Sequence, residues 1–236
     1  MSVLGLFFIL IFSLALLWLA RQGVMESPWL EEGEVAHYRS AAGNEPPPAA
    51  KVGLAIFLAV AGCLFSLLAA AFFMRGDAPD WQMPPIPGVL WFNTFLLAAS
   101  SVALQVALIA ARRTEAERVK TALLIGATTA ALFLIGQIWA WRELLDLKFF
   151  ASSNAANAFF YLLTGAHALH LIGGLVALAR TTDRVRGAAR ITKELTTSVE
   201  LCAIYWHFLL FVWLLMFAML IGWADGFGVI CRRLLS

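Results

Sequence analysis

The feature that most constrains this chain is a series of apolar runs, each about as long as a helix that crosses a bilayer. A helix of about 20 apolar residues spans the hydrocarbon core of a membrane. Only 14% of the residues are charged, far fewer than in soluble domains. The sequence therefore predicts an all-α membrane protein, a bundle of six transmembrane helices. Their predicted positions are residues 3–20, 52–74, 88–111, 121–141, 157–179 and 198–223.

The first run differs from a secretory signal peptide because no Lys or Arg precedes Arg21. We therefore expect it to be a retained helix. Residues 21–51 carry five glutamates and the run Pro46-Pro47-Pro48, which cannot continue a helix. The sequence thus predicts two parts: an N-terminal transmembrane helix with an acidic, proline-rich cytoplasmic linker (1–51), and a five-helix domain (52–236).

The basic residues predict the orientation. They concentrate after the third and fifth spans, whereas the segments 75–87 and 142–156 hold one and two of them. Positive residues favour the cytoplasmic side, so both basic loops and the linker are predicted there, and both termini on the outer side. Basic residues confined to short interhelical loops do not form a nucleic-acid-binding surface. The residues of the two basic loops are Arg112, Arg113, Arg118 and Lys120, and Arg180, Arg184, Arg186, Arg190 and Lys193.

The segment 159–174, FFYLLTGAHALHLIGG, places two histidines inside an apolar span. His167 and His170 are one helical turn apart and share a face, and imidazoles at membrane depth are costly in lipid. Gly173 and Gly174 belong to a set of small residues that allow another helix to approach closely. This pattern predicts a segment buried against protein.

The last span carries a second set of polar and aromatic residues. Glu200 and His207 are seven residues apart, hence on one face, with Glu200 nearer the cytoplasmic end; Trp206 adjoins His207. One interpretation is a packed aromatic seam with a histidine bonded to a neighbouring helix. In the other, the polar groups line an interface to a partner subunit or hold a lipid headgroup. Glu143, at the outer end of the fourth span, is interpreted as interfacial or paired.

A further interpretation of the histidines is that they bind a metal or haem. The chain has 4 histidines, of which His37 lies in the linker. His167 and His170 are too close together to serve two haems stacked across a bilayer. A single haem held between the fifth and sixth spans stays open, as in a small b-type cytochrome or a haem-handling protein. The 3 cysteines form no CxxC spacing that indicates zinc or covalently attached haem.

Three ordered motifs carry a resemblance to a known family. They are LWFNTFLLAASS (90–101, with Asn93), the segment 159–174 that fits F-x-x-x-TG-x-H-x-x-H-x-x-x-G, and YWHF (205–208). From about Gly53 to the end of the sixth span the chain resembles subunit III of the haem–copper oxidases, as a divergent branch. Five of the six helices correspond to the family core and the N-terminal helix is additional.

The resemblance implies a non-catalytic accessory subunit of an oxidase in the bacterial inner membrane. It implies no cofactor in this chain, with haem and copper in the partner catalytic subunit I. Further implied partners are subunit II, a small subunit IV where one is present, and phospholipids. It also implies support of proton uptake and of the stability of the catalytic subunit. Two positions depart from the family pattern, because Ala61 and Leu210 stand where carboxylates are common.

The nine candidate residues are therefore assigned to the family motifs, to an interface or to lipid, and none to catalysis or a metal. They are Asn93, Glu143, His167, His170, Gly173, Gly174, Glu200, Trp206 and His207. Two further alternatives stay open at this point. One is an accessory subunit of nitric oxide reductase, and the other is a structural membrane scaffold with no oxidase partner.

Overall fold

The structure, a computed structural model, describes residues 49–76, 78–79, 81–188 and 190–222. Its described part consists of five helices joined by short connections, with no strand. They are α1 (Ala49–Gly76), α2 (Val89–Arg112), α3 (Ala116–Asp146), α4 (Ala155–Gly187) and α5 (Lys193–Leu220). All five are long and apolar enough to cross a membrane. The all-α, multi-pass membrane class is thereby confirmed, whereas the sixth helix predicted at 3–20 lies outside the described residues.

Helices α3 and α4 are longer than predicted, at 31 and 33 residues. The predicted spans ended where charges begin, but the helices continue beyond the hydrocarbon. Arg118 and Lys120 form ion pairs of 2.8 Å with Glu115 and Glu117 at the start of α3. Most of the fifth-span basic loop is likewise the last turns of α4. The prediction that these residues lie in loops was wrong, because an apolar window detects only the part of a helix that meets lipid tails.

The ends of the helices are set by polar caps and turns. The Asn154 side chain accepts a hydrogen bond from Ala156 N (3.0 Å) and so caps α4. The Asn154 amide also donates to the carbonyl of Gln82 (2.9 Å), which holds the α1–α2 connection against the start of α4. Thr192 caps α5 in the same way, accepting from Leu195 N at 3.3 Å. Such caps satisfy amide groups that have no partner within the helix.

Helix α5 ends at Leu220 rather than at residue 223 as predicted. Gly222, just past its end, has a φ of 73°, a conformation that glycine adopts without strain. Glycine at this place is a common helix stop.

The helices α2 to α5 form a bundle in which neighbours pack in a ring. Helix α2 packs against α3 and α5, and α4 packs against the same two helices. The chain divides into two compact units, with described residues 49–66 in the first and 67–222 in the second. The bundle belongs to the second unit. The predicted division after residue 51 stays a prediction.

Candidate functional site

The centre of the four-helix bundle is an aromatic cluster that encloses His167. The ring of Phe133 on α3 meets the rings of His167 (5.8 Å between centroids) and Trp213 on α5 (4.8 Å). His167 and Trp213 are themselves 5.2 Å apart, and both are fully buried. The Trp213 indole N–H donates to Thr94 Oγ1 on α2 (2.9 Å). One tryptophan therefore ties together all four helices.

Asn93 is buried at the contact between α2 and α3. Its side chain lies directly against the backbone of Gly136, because a Cβ at that glycine would be 2.0 Å from Asn93 Oδ1. The absence of a side chain at residue 136 is what makes room for the amide. Such a buried amide in contact with a helix backbone fits the small-residue packing of membrane helices.

A second polar contact joins α3 to α4, nearer the end of the bundle that holds the α3–α4 connection. The Trp141 indole N–H donates to Thr164 Oγ1 (3.0 Å), and that hydroxyl donates to Phe160 O (2.7 Å). Gln137 is one turn from Phe133 and one turn from Trp141, so it lies between the His167 and Thr164 contacts. It is buried like Asn93. The core of the bundle is thus polar as well as aromatic.

The contact between α4 and α5 is close at a single glycine. A Cβ at Gly174 would lie 2.6 Å from Tyr205 Cε1 and 2.9 Å from Trp206 Cζ3. The Tyr205 hydroxyl donates to the backbone carbonyl of His170 (2.8 Å), one turn earlier on α4. A Cβ at Gly173, by contrast, would meet nothing within 4 Å. Of the two glycines singled out in the sequence, Gly174 forms the close contact within this bundle.

The outer surface of the α2–α5 pair carries a polar stripe, which we define as Ser101, Gln105, Arg112, Glu200 and His207. His207 Nδ1 lies 2.5 Å from Ser101 Oγ, and Nε2 lies 3.0 Å from Gln105 Oε1. One arrangement that fits is a neutral imidazole that donates from Nε2 to the amide oxygen and accepts the serine hydroxyl at Nδ1. At the end of the stripe, Arg112 and Glu200 form an ion pair of 3.5 Å.

The structure sorts the candidate residues into three places. Asn93 and His167 lie in the buried core; His170, Gly174 and Trp206 lie at the α4–α5 contact; Glu200 and His207 lie in the polar stripe. Glu143 is half-buried near the end of α3, and among the described residues no hydrogen bond or ion pair joins it to the others. Gly173 is exposed on α4.

Sequence reasoning missed the partners of these residues, above all Gln105 and Arg112. Ser101, Gln105 and Arg112 lie on one face of α2, at spacings of four and seven residues. The pair Ser101 and Gln105, two polar residues four positions apart within an apolar span, is the sequence signal that indicates this face. His207 on α5 lies within hydrogen-bonding distance of Ser101 and Gln105 on the neighbouring helix α2. The two interpretations of the last span, a packed aromatic seam and an interface to a partner or lipid, both remain predictions.

The imidazoles of His207 and His170 make polar contacts within the protein. Both ring nitrogens of His207 are engaged by α2, and His170 Nδ1 lies 2.8 Å from the carbonyl of Ala166 on its own helix. No group of three or more His, Cys, Asp or Glu that could hold a metal occurs among the described residues. Cys202 contacts the Thr181 hydroxyl at 3.5 Å, as a buried thiol does.

Comparison with known proteins places this arrangement in a family. The family profile described as cytochrome c oxidase subunit III matches residues 47–225, a range that includes all of α1 to α5. A cytochrome c oxidase subunit 3 from Thermostichus vulcanus is 28% identical over 186 residues, covering 75% of this chain and 89% of that protein. A probable cytochrome c oxidase subunit 3 from Nocardia farcinica is 30% identical over 177 residues, covering 73% and 87%. With a match across the whole helical bundle, the chain belongs to the cytochrome c oxidase subunit III family.

Proposed function

We propose that the chain is a non-catalytic accessory subunit of a terminal haem–copper oxidase, in which other subunits reduce oxygen to water. The observation that carries the proposal is the family match, which extends over residues 47–225 and so over every described helix. The polar residues of the family motifs support it, because they are used for helix packing. Asn93 fills the space beside Gly136, and His167 is enclosed by Phe133 and Trp213.

The packing of the histidines supports this reading over a b-type cytochrome. A haem ligand must point an imidazole nitrogen at the iron. His207 instead engages Ser101 and Gln105, and its partner in a haem site would have to come from His167 or His170 on α4. Those rings lie against Trp213 and against the backbone of α4. A haem held between α4 and α5 would require the contacts of His207 and of one of these two rings to break.

Within the complex we propose that the chain stabilises the catalytic subunit I, binds phospholipid and supports proton uptake, next to subunit II and a small subunit IV where one is present. Long apolar side chains are exposed on the bundle surface, such as Trp91, Phe95 and Leu169, and these suit lipid tails or apolar partner helices. Because Ala61 and Leu210 replace carboxylates of the family pattern, we propose that support of proton uptake here does not use side-chain carboxylates at those two positions.

Purification of the tagged full-length chain in mild detergent tests the proposal. We expect a large multi-span partner containing haem and copper to co-purify, together with oxygen reduction by the complex. A copper-free haem partner that reduces nitric oxide would instead support the nitric oxide reductase alternative. Haem b that stays with the isolated chain, and is lost in His207→Ala, would contradict the accessory role.

We further propose that the ends of the bundle that hold the α2–α3 and α4–α5 connections face the cytoplasm of a bacterial cell. With the predicted N-terminal helix at 3–20 as a sixth span, both termini then face outward. These ends carry most of the basic residues, which favour the cytoplasmic side. In a cysteine-free background, Arg113→Cys is expected to resist a membrane-impermeant thiol reagent in intact cells. Ser152→Cys, at the opposite end, is the matched control and is expected to react. The reverse pattern would overturn this orientation.

A further inference from the structure

Three residues of the polar stripe, Ser101, Gln105 and His207, lie at a depth where neither water nor lipid headgroups can hydrogen-bond to them. Helix α2 has 24 residues and is therefore about 36 Å long, against about 30 Å for the hydrocarbon core. Ser101 is eleven residues before Arg112, or about 16 Å from that end of the helix. The Ser101–His207 contact is therefore near the middle of the bilayer. Gln105 lies about 10 Å from the same end and is still within the hydrocarbon.

At this depth the stripe is nonetheless open on the outer side of the bundle. His207 and Gln105 are exposed side chains in the described structure. Polar groups that face lipid tails are costly, and in membrane proteins they face protein or a water-filled cavity instead. Gln105 and His207 lie on the outside of the bundle, between the buried Ser101 and the Arg112–Glu200 pair at the end of α2. Another protein segment is what can cover it.

The hydrogen bonds already made define what the covering segment must offer. Gln105 Oε1 is engaged by His207, while the amide nitrogen of Gln105 has no hydrogen-bond partner among the described residues. That nitrogen presents two N–H donors. A complementary helix therefore needs an acceptor at this depth, such as a carboxylate, an amide oxygen or a carbonyl freed by a helix break.

Arg112 adds a second requirement at the end of the stripe. Its side chain is 60% exposed although it pairs with Glu200 at 3.5 Å, so its guanidinium has donors left for another group. Arginine favours carboxylates in such positions. Gln105 and Arg112 are seven residues apart on α2. A partner helix that runs alongside would match them with an acceptor and an acidic residue about 10 Å apart along its axis.

We propose that the polar stripe of α2 and α5 is the surface on which a transmembrane helix of the catalytic oxidase subunit docks. That helix carries a hydrogen-bond acceptor opposite Gln105 and an acidic side chain opposite Arg112. This assignment rests on the proposed accessory function and specifies which face of the bundle makes the contact. A lipid headgroup does not meet the requirement at Gln105, because the acceptor is needed well inside the hydrocarbon, although it could reach Arg112 at the end of α2.

The test uses the tagged full-length chain in the complex and measures the ratio of catalytic subunit to tagged chain after purification. Gln105→Leu and His207→Leu are each expected to lower this ratio about threefold to tenfold, the range expected from losing interhelical hydrogen bonds in a membrane. Thr128→Leu is the matched control. It is an exposed polar residue on α3 whose hydroxyl bonds only to carbonyls of its own helix, so the ratio is expected to stay unchanged.

A crosslinking experiment tests the docking of the catalytic subunit on the polar stripe independently, in case the leucine variants fail to accumulate. A photoreactive amino acid in place of Val102, an exposed residue of α2 beside the stripe, is expected to crosslink to the catalytic subunit. Crosslinks only to a second copy of the tagged chain, or only to lipid, would overturn the proposal. So would unchanged ratios in both variants. Failure of any haem–copper subunit to co-purify with the unmodified chain would instead refute the accessory function.

Discussion

Replacing Gly174 by alanine is expected to destabilise the protein by about 1–3 kcal/mol, the usual cost of forcing extra volume into a packed core. The new Cβ would lie 2.6 Å from Tyr205 and 2.9 Å from Trp206, distances that real Cβ contacts do not reach. Neither ring can move aside easily. The Tyr205 hydroxyl is bonded to the His170 carbonyl at 2.8 Å, and Trp206 is fully buried. Helices α4 and α5 would have to separate, which also weakens their neighbouring contacts.

Gly173→Ala is the matched control for this prediction. It makes the same change one residue away on the same helix, where a Cβ meets nothing within 4 Å. Alanine in a helix interior is favoured over glycine by about 1 kcal/mol, and both variants gain this helix-propensity free energy. The difference between them therefore isolates the contact with α5. Thermal denaturation of the full-length chain in detergent measures it, and equal midpoints for the two variants would contradict the close contact.

The two glycines also show how far the sequence could predict the packing. The motif indicated that small residues in 159–174 allow a close approach, and that prediction named Gly173 and Gly174 together. Which of them faces α5 depends on the rotation of α4 about its axis, and this is set by contacts with residues more than 30 positions away, such as Tyr205. No local pattern contains that information. The structure places the contact at Gly174.

The helix cores could be predicted because lipid tails impose a single requirement, a run of apolar residues about 20 long. The helix ends could not be predicted in this way, because they lie among headgroups, where charged residues such as Arg118 and Lys120 are tolerated in a helix. The polar core was also only partly predicted. His167 was visible as an anomaly in an apolar span. Thr164 was named only as part of the family motif, and neither it nor Gln137 was predicted to belong to the core, because single uncharged polar residues in a span are common.

Trp213→Ala is expected to have the largest effect of any single substitution considered, about 3–5 kcal/mol, as for other buried aromatic residues cut to alanine. Trp213 is fully buried, and its ring contacts Phe133 at 4.8 Å, His167 at 5.2 Å and Phe217 at 6.2 Å. Its N–H bonds to Thr94 on α2. Removing it leaves a cavity where four helices meet. Trp139→Ala, at a residue that is 67% exposed on α3, is the control and is expected to change stability little.

Trp213→Phe separates the two contributions of this residue. Phenylalanine retains an aromatic ring beside Phe133 and His167 but loses the N–H that Thr94 accepts. The Thr94 hydroxyl still donates to the carbonyl of Leu90 at 2.8 Å. Losing the hydrogen bond from residue 213 therefore lowers the free energy of unfolding by about 1 kcal/mol, and the smaller ring lowers it further. We therefore expect Trp213→Phe to denature between the unmodified chain and Trp213→Ala. If Trp213→Phe were as unstable as Trp213→Ala, the bond to α2 would be the main contribution.

Hydrophobic burial from water cannot account for either effect, because lipid tails are as apolar as the core. The stability of this bundle then depends on how closely the rings of Phe133, His167 and Trp213 pack together where its four helices meet.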